Sequence, residues 1–142
     1  MTVKSLPGSE ATADDFRNWI IKESVGHESG SHIVVPSADQ AYDQYDMCVS
    51  YPWCGIVNNA VLITGEFTMH VTEGIQIDTK EIETGSLFAA FGDEVWYNSI
   101  TKEYVGTEDA GLSLVGYVII PTDANGVMRF EKRRYVIEGE AT

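Results

Sequence analysis

The chain has 142 residues, of which 44% are hydrophobic and 22% charged, and this is typical of one folded domain rather than a disordered chain. Nine basic residues against 22 acidic ones give a net charge of −13. Because such a surface repels phosphate backbones, we expect no nucleic-acid partner. No apolar run approaches the ~20 residues of a membrane span, and residues 1–15 lack the apolar core of a secretory signal, so we expect synthesis in the cytoplasm and no membrane contact.

The N-terminal segment carries the helical pattern of the chain. Ala13–Glu23 places Phe16, Trp19 and Ile20 at helical spacing, behind two aspartates that suit the positive end of a helix dipole. A helix of about three turns is marginal alone, so its apolar stripe must dock. We expect its partner to be the rest of the domain or a neighbouring subunit.

After this segment the hydrophobic period changes from helical to two. The clearest strand pattern is Val61–Val71, with apolar odd positions, mostly polar even positions including His70, and Gly65 at a predicted bulge or close backbone approach. Further short runs lie between turns every ~8–12 residues. The pattern predicts a mainly β chain: a small antiparallel β-sandwich or barrel over residues 31–142, preceded by an arm and one short helix over residues 1–30.

The C-terminal strand is predicted at Val127–Ile137, after an Asn125-Gly126 pair that favours a tight hairpin connection. The apolar residues change parity along this strand, which predicts a bulge or twist near Arg133.

The same strand makes one edge of an acidic body basic. The residues before it include 5 basic and 19 acidic side chains, whereas residues 129–142 include 4 basic and 3 acidic ones. Such an edge favours electrostatic contact with a like subunit, or it protects an exposed strand from aggregation. The predicted interface residues are Phe16, Trp19, Ile20, Arg129, Lys132, Arg133 and Arg134.

The sequence assembles no catalytic or metal centre. Glu66 and His70 point the same way in the predicted strand, but a cupin-like metal site needs a second pair from another strand, and the sequence offers none. Cys48 and Cys54 cannot form a zinc site alone; a buried pair of free thiols is expected, with a disulfide as the alternative. We therefore expect no metal, no cofactor and no enzymatic activity.

Aromatic residues at strand positions favour a core or a subunit interface, and the alternative is a sugar-binding site. The candidates are Trp53, Trp96, Tyr97, Tyr104 and Tyr117.

Several short glycine-containing segments resemble a known family by their order and spacing. They are Gly65-Glu66-Phe67, Gly92-Asp93-Glu94-Val95-Trp96-Tyr97, Leu114-Val115-Gly116-Tyr117-Val118 and the strand Val127–Arg134. This pattern looks like that of the small capsid cement, or decoration, proteins of tailed bacteriophages. Residues 1–30 and Tyr51–Cys54 lie outside it.

The resemblance implies a compact β-sandwich or barrel on the outer surface of a virion, made in the host cytoplasm. Members commonly form homotrimers at threefold positions, where they bridge subunits of the major capsid protein and stabilise the capsid. We expect this structural role. The alternative is a receptor- or carbohydrate-binding β module on the virion surface that uses exposed aromatics such as Trp53 and Trp96.

Overall fold

The computed structural model describes residues 18–22 and 32–140, and it confirms the mainly β fold class. Every pair of neighbouring strands is antiparallel. The strands are β1 (Asn18–Lys22), β2 (His32–Val35), β3 (Met47–Ser50), β4 (Trp53–Val57), β5 (Phe67–His70), β6 (Gln76–Thr79), β7 (Glu94–Asn98), β8 (Glu103–Val105), β9 (Ser113–Ile120) and β10 (Met128–Glu138).

The strands form two layers that join at one seam. The first layer has the order β1-β6-β10-β9-β7-β8, and the second has the order β2-β5-β4-β3. The layers meet where Tyr135 of β10 pairs with Trp53 of β4. We call this junction the seam.

The main core lies between the two layers. Met47, Cys54 and Ile56 from the second layer pack in one buried cluster with side chains of the first layer, among them Phe130 and Tyr104. A second cluster covers the other face of the second layer, beneath the loops 36–46 and 58–66. Burial on both faces explains why the second layer is rich in apolar residues.

Residues 18–22 form strand β1, so the helix predicted over Ala13–Glu23 is wrong for this part; its other residues lie outside the described ones. The buried Asn18 side chain donates from Nδ2 to the carbonyl oxygen of Tyr45 (3.1 Å) and accepts from the hydroxyl of Tyr104 (2.8 Å). Pairing with β6 and these distant contacts favour the strand. Helical spacing in the sequence contains no information about them.

The predicted strand Val61–Val71 is only half correct, because regular pairing begins at Phe67. A turn precedes it: Thr64 has a φ of 69°, and the amide of Gly65 donates to the carbonyl of Leu62 (2.9 Å). A Cβ at Gly65 would lie 3.0 Å from the backbone carbonyl oxygen of Leu62, which agrees with the predicted close backbone approach. The alternation of apolar and polar residues extends through this turn, so the sequence pattern alone did not distinguish the turn from the strand.

The C-terminal hairpin and its irregularity are confirmed. The amide of Gly126, with a φ of 81°, donates to the carbonyl of Asp123 in the turn before β10. Along β10 the pairing then moves from Lys132↔Gly116 to Ile137↔Leu114, so β10 advances further than its partner β9. The extra residues let β10 leave the first layer and reach β4 at the seam.

The two cysteines point to opposite faces of the second layer. Cys48 pairs with Gly55 and Val49 pairs with Cys54, so the thiols are offset by one residue on adjacent strands. Both are buried and free, which confirms the predicted thiol pair. Burial raises the pKa of Cys48 to about 12 and also raises the pKa of Cys54.

Replacing Asn18 tests whether β1 is part of the domain. Asn18→Ala should lower the free energy of unfolding by about 1–3 kcal/mol, because it leaves the buried Tyr104 hydroxyl without its acceptor. Denaturant titration followed by tryptophan fluorescence measures this, and the exposed Asn59→Ala serves as the control, with a change below about 0.5 kcal/mol. Equal effects of the two substitutions would show that the hydrogen bond contributes nothing.

A buried thiol should make stability depend on alkaline pH. The unfolded chain ionises Cys48 near pH 8.5, whereas the folded chain holds the proton until about pH 12, so stability falls as pH rises through this interval. Between about pH 8 and pH 10 the thiol accounts for a loss of about 2 kcal/mol. Denaturant titrations at the two pH values measure the loss of stability. In Cys48→Ala this loss should be smaller than in the wild type by the contribution of the thiol. An unchanged loss would contradict the assignment.

Candidate binding surface

The four basic residues predicted as an interface have different environments along β10. Arg129 lies across from Asp78 of β6 and donates to its carboxylate from Nε (2.7 Å) and Nη2 (3.1 Å). The hydrogen bonds to Asp78 raise the pKa of Arg129. Its charge is therefore balanced within the domain, and it adds little to a basic surface.

Lys132 is buried, with 1% of its surface exposed. Contrary to the prediction, its side chain is not part of a contact surface. Its Nζ donates to the carbonyl oxygens of Cys54 (2.7 Å) and Arg133 (2.6 Å). These carbonyls lie where β10 changes layers and loses its ladder partners. The lysine satisfies them, although loss of hydration lowers its pKa.

Arg134 is half-buried at the seam among aromatic side chains. The guanidinium carbon of Arg134 lies 5.4 Å from the ring centroid of Trp53 and 5.8 Å from that of Tyr135, and the two rings are 5.1 Å apart. Tyr135 is 48% exposed, and Tyr51 in the preceding β3–β4 turn is 67% exposed. We call Tyr51, Trp53, Arg134 and Tyr135 the seam surface.

This geometry pre-organises the Arg134 side chain for binding. Stacking on two rings restricts the long side chain, so less conformational entropy is lost when a partner binds. Arginine, tryptophan and tyrosine are also the residue types that contribute most to protein interfaces. Arg134 is one of nine basic residues in a chain of net charge −13.

The other predicted aromatics separate into core and surface. Trp96, Tyr97 and Tyr104 are buried, in agreement with the prediction of core positions. The alternative, a carbohydrate-binding module, required an exposed Trp96, and Trp96 is not available to a sugar ligand. Tyr117 is exposed on the outer face of the first layer, with Arg133 above its ring at 5.9 Å. Trp53 is half-buried at the seam.

The candidate polar groups elsewhere serve the fold. His70 is buried, contrary to its predicted polar face; its ring stacks on His32 with centroids 4.4 Å apart, and its Nε2 lies 2.8 Å from the hydroxyl of Thr72. Asp93 accepts hydrogen bonds from the amides of Ala89 and Ala90, which fixes the turn before β7. These contacts give both residues a structural role.

Glycines of the family-like segments also have structural roles. A Cβ at Gly116 would lie 2.2 Å from the carbonyl oxygen of Glu131, so β9 and β10 can approach only with glycine here. Gly92 has a φ of 90°, which suits glycine at the turn into β7.

The sequence missed several exposed apolar side chains at loops and turns. They are Leu62, Ile63, Leu87, Phe91 and Ile100. The turns that expose them are defined by contacts between distant residues. Of the predicted N-terminal anchors, Phe16 lies outside the described residues, whereas Trp19 and Ile20 belong to β1.

Comparisons with known proteins assign no family to the chain. No protein-family model, curated protein or solved structure matches it. Within residues 18–22 and 32–140, no helix is long and apolar enough to cross a membrane. In the same residues, no group of three His, Cys, Asp or Glu side chains could hold a metal ion.

Lys132→Met tests the structural role of the buried lysine. The variant should lose about 1–3 kcal/mol of stability, because the buried carbonyl of Cys54 loses its amine donor and that of Arg133 keeps only the weak thiol donor of Cys54, while the volume of the side chain is kept. Denaturant titration measures the loss, and Lys80→Met is the control, since the Lys80 side chain makes no hydrogen bond with any described residue and its backbone bond to Ile82 does not depend on the side chain. If the two substitutions have the same effect, the lysine does not stabilise the seam.

Proposed function

We propose that the chain is a structural virion protein that decorates the outside of a phage capsid and bridges subunits of its major capsid protein. The proposal combines the resemblance to capsid cement proteins with the seam surface, which is the observation that carries it. A mainly β domain with a prepared arginine and exposed aromatic rings is suited to protein contact.

The charge distribution supports a docking role for the seam surface. Arg134 lies on a chain of net charge −13, so a partner patch must present acidic groups to the arginine while the rest of the domain resists non-specific association. The rings of Trp53 and Tyr135 supply apolar area beside this charge. One compact surface thus offers both components of a specific contact.

Assembly on a lattice makes such a small surface sufficient. The resemblance implies a homotrimer at threefold positions, where each copy presents its seam surface to the capsid at once. When one contact forms, the linked copies bind at a high effective concentration, so weak individual contacts add up to strong attachment. The N-terminal residues Phe16, Trp19 and Ile20 remain predicted contributors to subunit or capsid contacts.

A pair of charge-matched variants tests the proposal. Arg134→Glu should weaken binding to empty heads by at least about tenfold, because it removes the arginine–aromatic stack and places a like charge against an acidic partner. Lys80→Glu changes the net charge equally but lies on β6's following loop, away from the seam, and should bind as wild type. Co-sedimentation with heads that lack the protein measures the bound fraction.

Two results of this experiment would contradict the proposal. If Arg134→Glu binds heads as wild type does, the seam surface is not the contact. If Lys80→Glu weakens binding as much as Arg134→Glu does, only the overall charge matters. Circular dichroism of both variants establishes that the β domain is folded in each case.

A further inference from the structure

A cleft of about 350 Å³ lies on the outer side of the first layer, apart from the seam surface. Tyr117 of β9 lies in it, Phe91 borders it from the β6–β7 loop, and Glu73 borders it from the β5–β6 loop. Glu131 and Arg133 of β10 complete the polar lining. This volume is at the lower end of small-molecule sites, about 300–1,000 Å³.

The cleft displays aromatic surface that the fold does not use. Phe91 is 78% exposed and Tyr117 is 36% exposed. The Phe91 loop is fixed beside β9, because the amide of Gly92 donates to the carbonyl of Val118 (2.8 Å). Tyr117 is held within the sheet by pairing with Glu94 and Glu131. Both rings are therefore presented from defined backbone positions.

The polar groups around these rings have hydrogen-bonding capacity left. The Nε of Arg133 donates to the carbonyl of Tyr135 (3.2 Å), which orients the guanidinium above Tyr117. Among the described residues, the Nη atoms of Arg133 donate no hydrogen bond, and the carboxylates of Glu73 and Glu131 accept none. The cleft thus combines donors and acceptors at its rim.

Charged groups of both signs surround the cleft. Glu73 and Glu131 are acidic and Arg133 is basic, whereas the amine of Lys132 is buried against the carbonyl oxygens of Cys54 and Arg133. A site for an anion or a cation would concentrate one sign of charge. Balanced donors and acceptors beside aromatic rings instead fit a neutral ligand rich in hydroxyl groups.

We propose that this cleft binds a neutral pyranose unit of a glycan. The apolar face of the sugar ring packs on Tyr117 and Phe91, Arg133 donates to ring hydroxyls, and Glu73 and Glu131 accept from them. The site is separate from the capsid contact, so it would give a decorated particle a weak affinity for glycan-covered surfaces. Many copies on one particle would raise that affinity by avidity.

An NMR titration of the full-length protein tests this site. The probes are the methyl pyranosides of glucose, galactose, mannose and N-acetylglucosamine, with arginine amide as a cationic comparison. At least one pyranoside should shift resonances of the cleft with a Kd of about 1 mM, as expected for a ligand of this size. Arginine amide should not bind there.

Variants link the binding to the two rings. Tyr117→Ala and Phe91→Ala should each weaken pyranoside binding by about tenfold through loss of ring contact. Tyr117→Phe keeps the ring and should bind as wild type, which separates loss of contact from loss of fold. Ile100→Ala removes a still more exposed apolar side chain at the β7–β8 turn and should have no effect.

The outcomes separate this site from the capsid contact. Absence of binding by all four pyranosides, equal binding by folded Tyr117→Ala, or preference for arginine amide would each overturn the glycan site. Phe91→Ala should still co-sediment with empty heads, because the seam surface is intact. Loss of head binding in Arg134→Glu with pyranoside binding retained would confirm that the two sites are independent.

Discussion

The structure depends on the place where β10 leaves the first layer and joins the second. A strand that changes layers gives up part of its ladder, and the freed carbonyls must be satisfied when they are buried. Here the Nζ of Lys132 donates to Cys54 and Arg133, on the two strands that meet. Burying an amine is costly, but without it the buried Cys54 carbonyl would be unpaired and that of Arg133 would keep only the weak thiol donor of Cys54, which is also costly. The lysine therefore belongs to the architecture.

The same crossing creates both surfaces to which we assign a role. As β10 turns toward β4, Arg134 and Tyr135 emerge beside Trp53 and form the seam surface. One residue earlier, Arg133 extends over Tyr117 on the outer face of the first layer and borders the cleft. A single irregularity in one strand thus separates three consecutive basic residues: one satisfies the core, one orients over the cleft, and one stacks at the seam. Three residues that are adjacent in the sequence thus have three different environments in the fold.

The sequence was sufficient for the fold class because short alternating runs and turn residues are local signals. The Asn125-Gly126 turn and the irregularity near Arg133 were predicted for the same reason. The sequence failed where distant contacts decide: β1 replaces part of a predicted helix because β6 and Tyr104 lie beside it. Lys132 was predicted as a surface residue because burial of a lysine requires carbonyl partners that no local pattern reveals. The seam surface was only partly visible, since it unites residues from β4 and β10.

Hydroxyl-radical footprinting of the protein on empty heads tests the central claim most directly, because it measures the exposure of individual side chains. The account predicts that oxidation of Tyr51, Trp53 and Tyr135 falls on binding, whereas the exposed Leu62 and Ile63 in the loop 58–66 remain as reactive as in the free protein. Protection confined to Leu62 and Ile63, with the three aromatic residues unchanged, would contradict the assignment of the seam surface as the capsid contact.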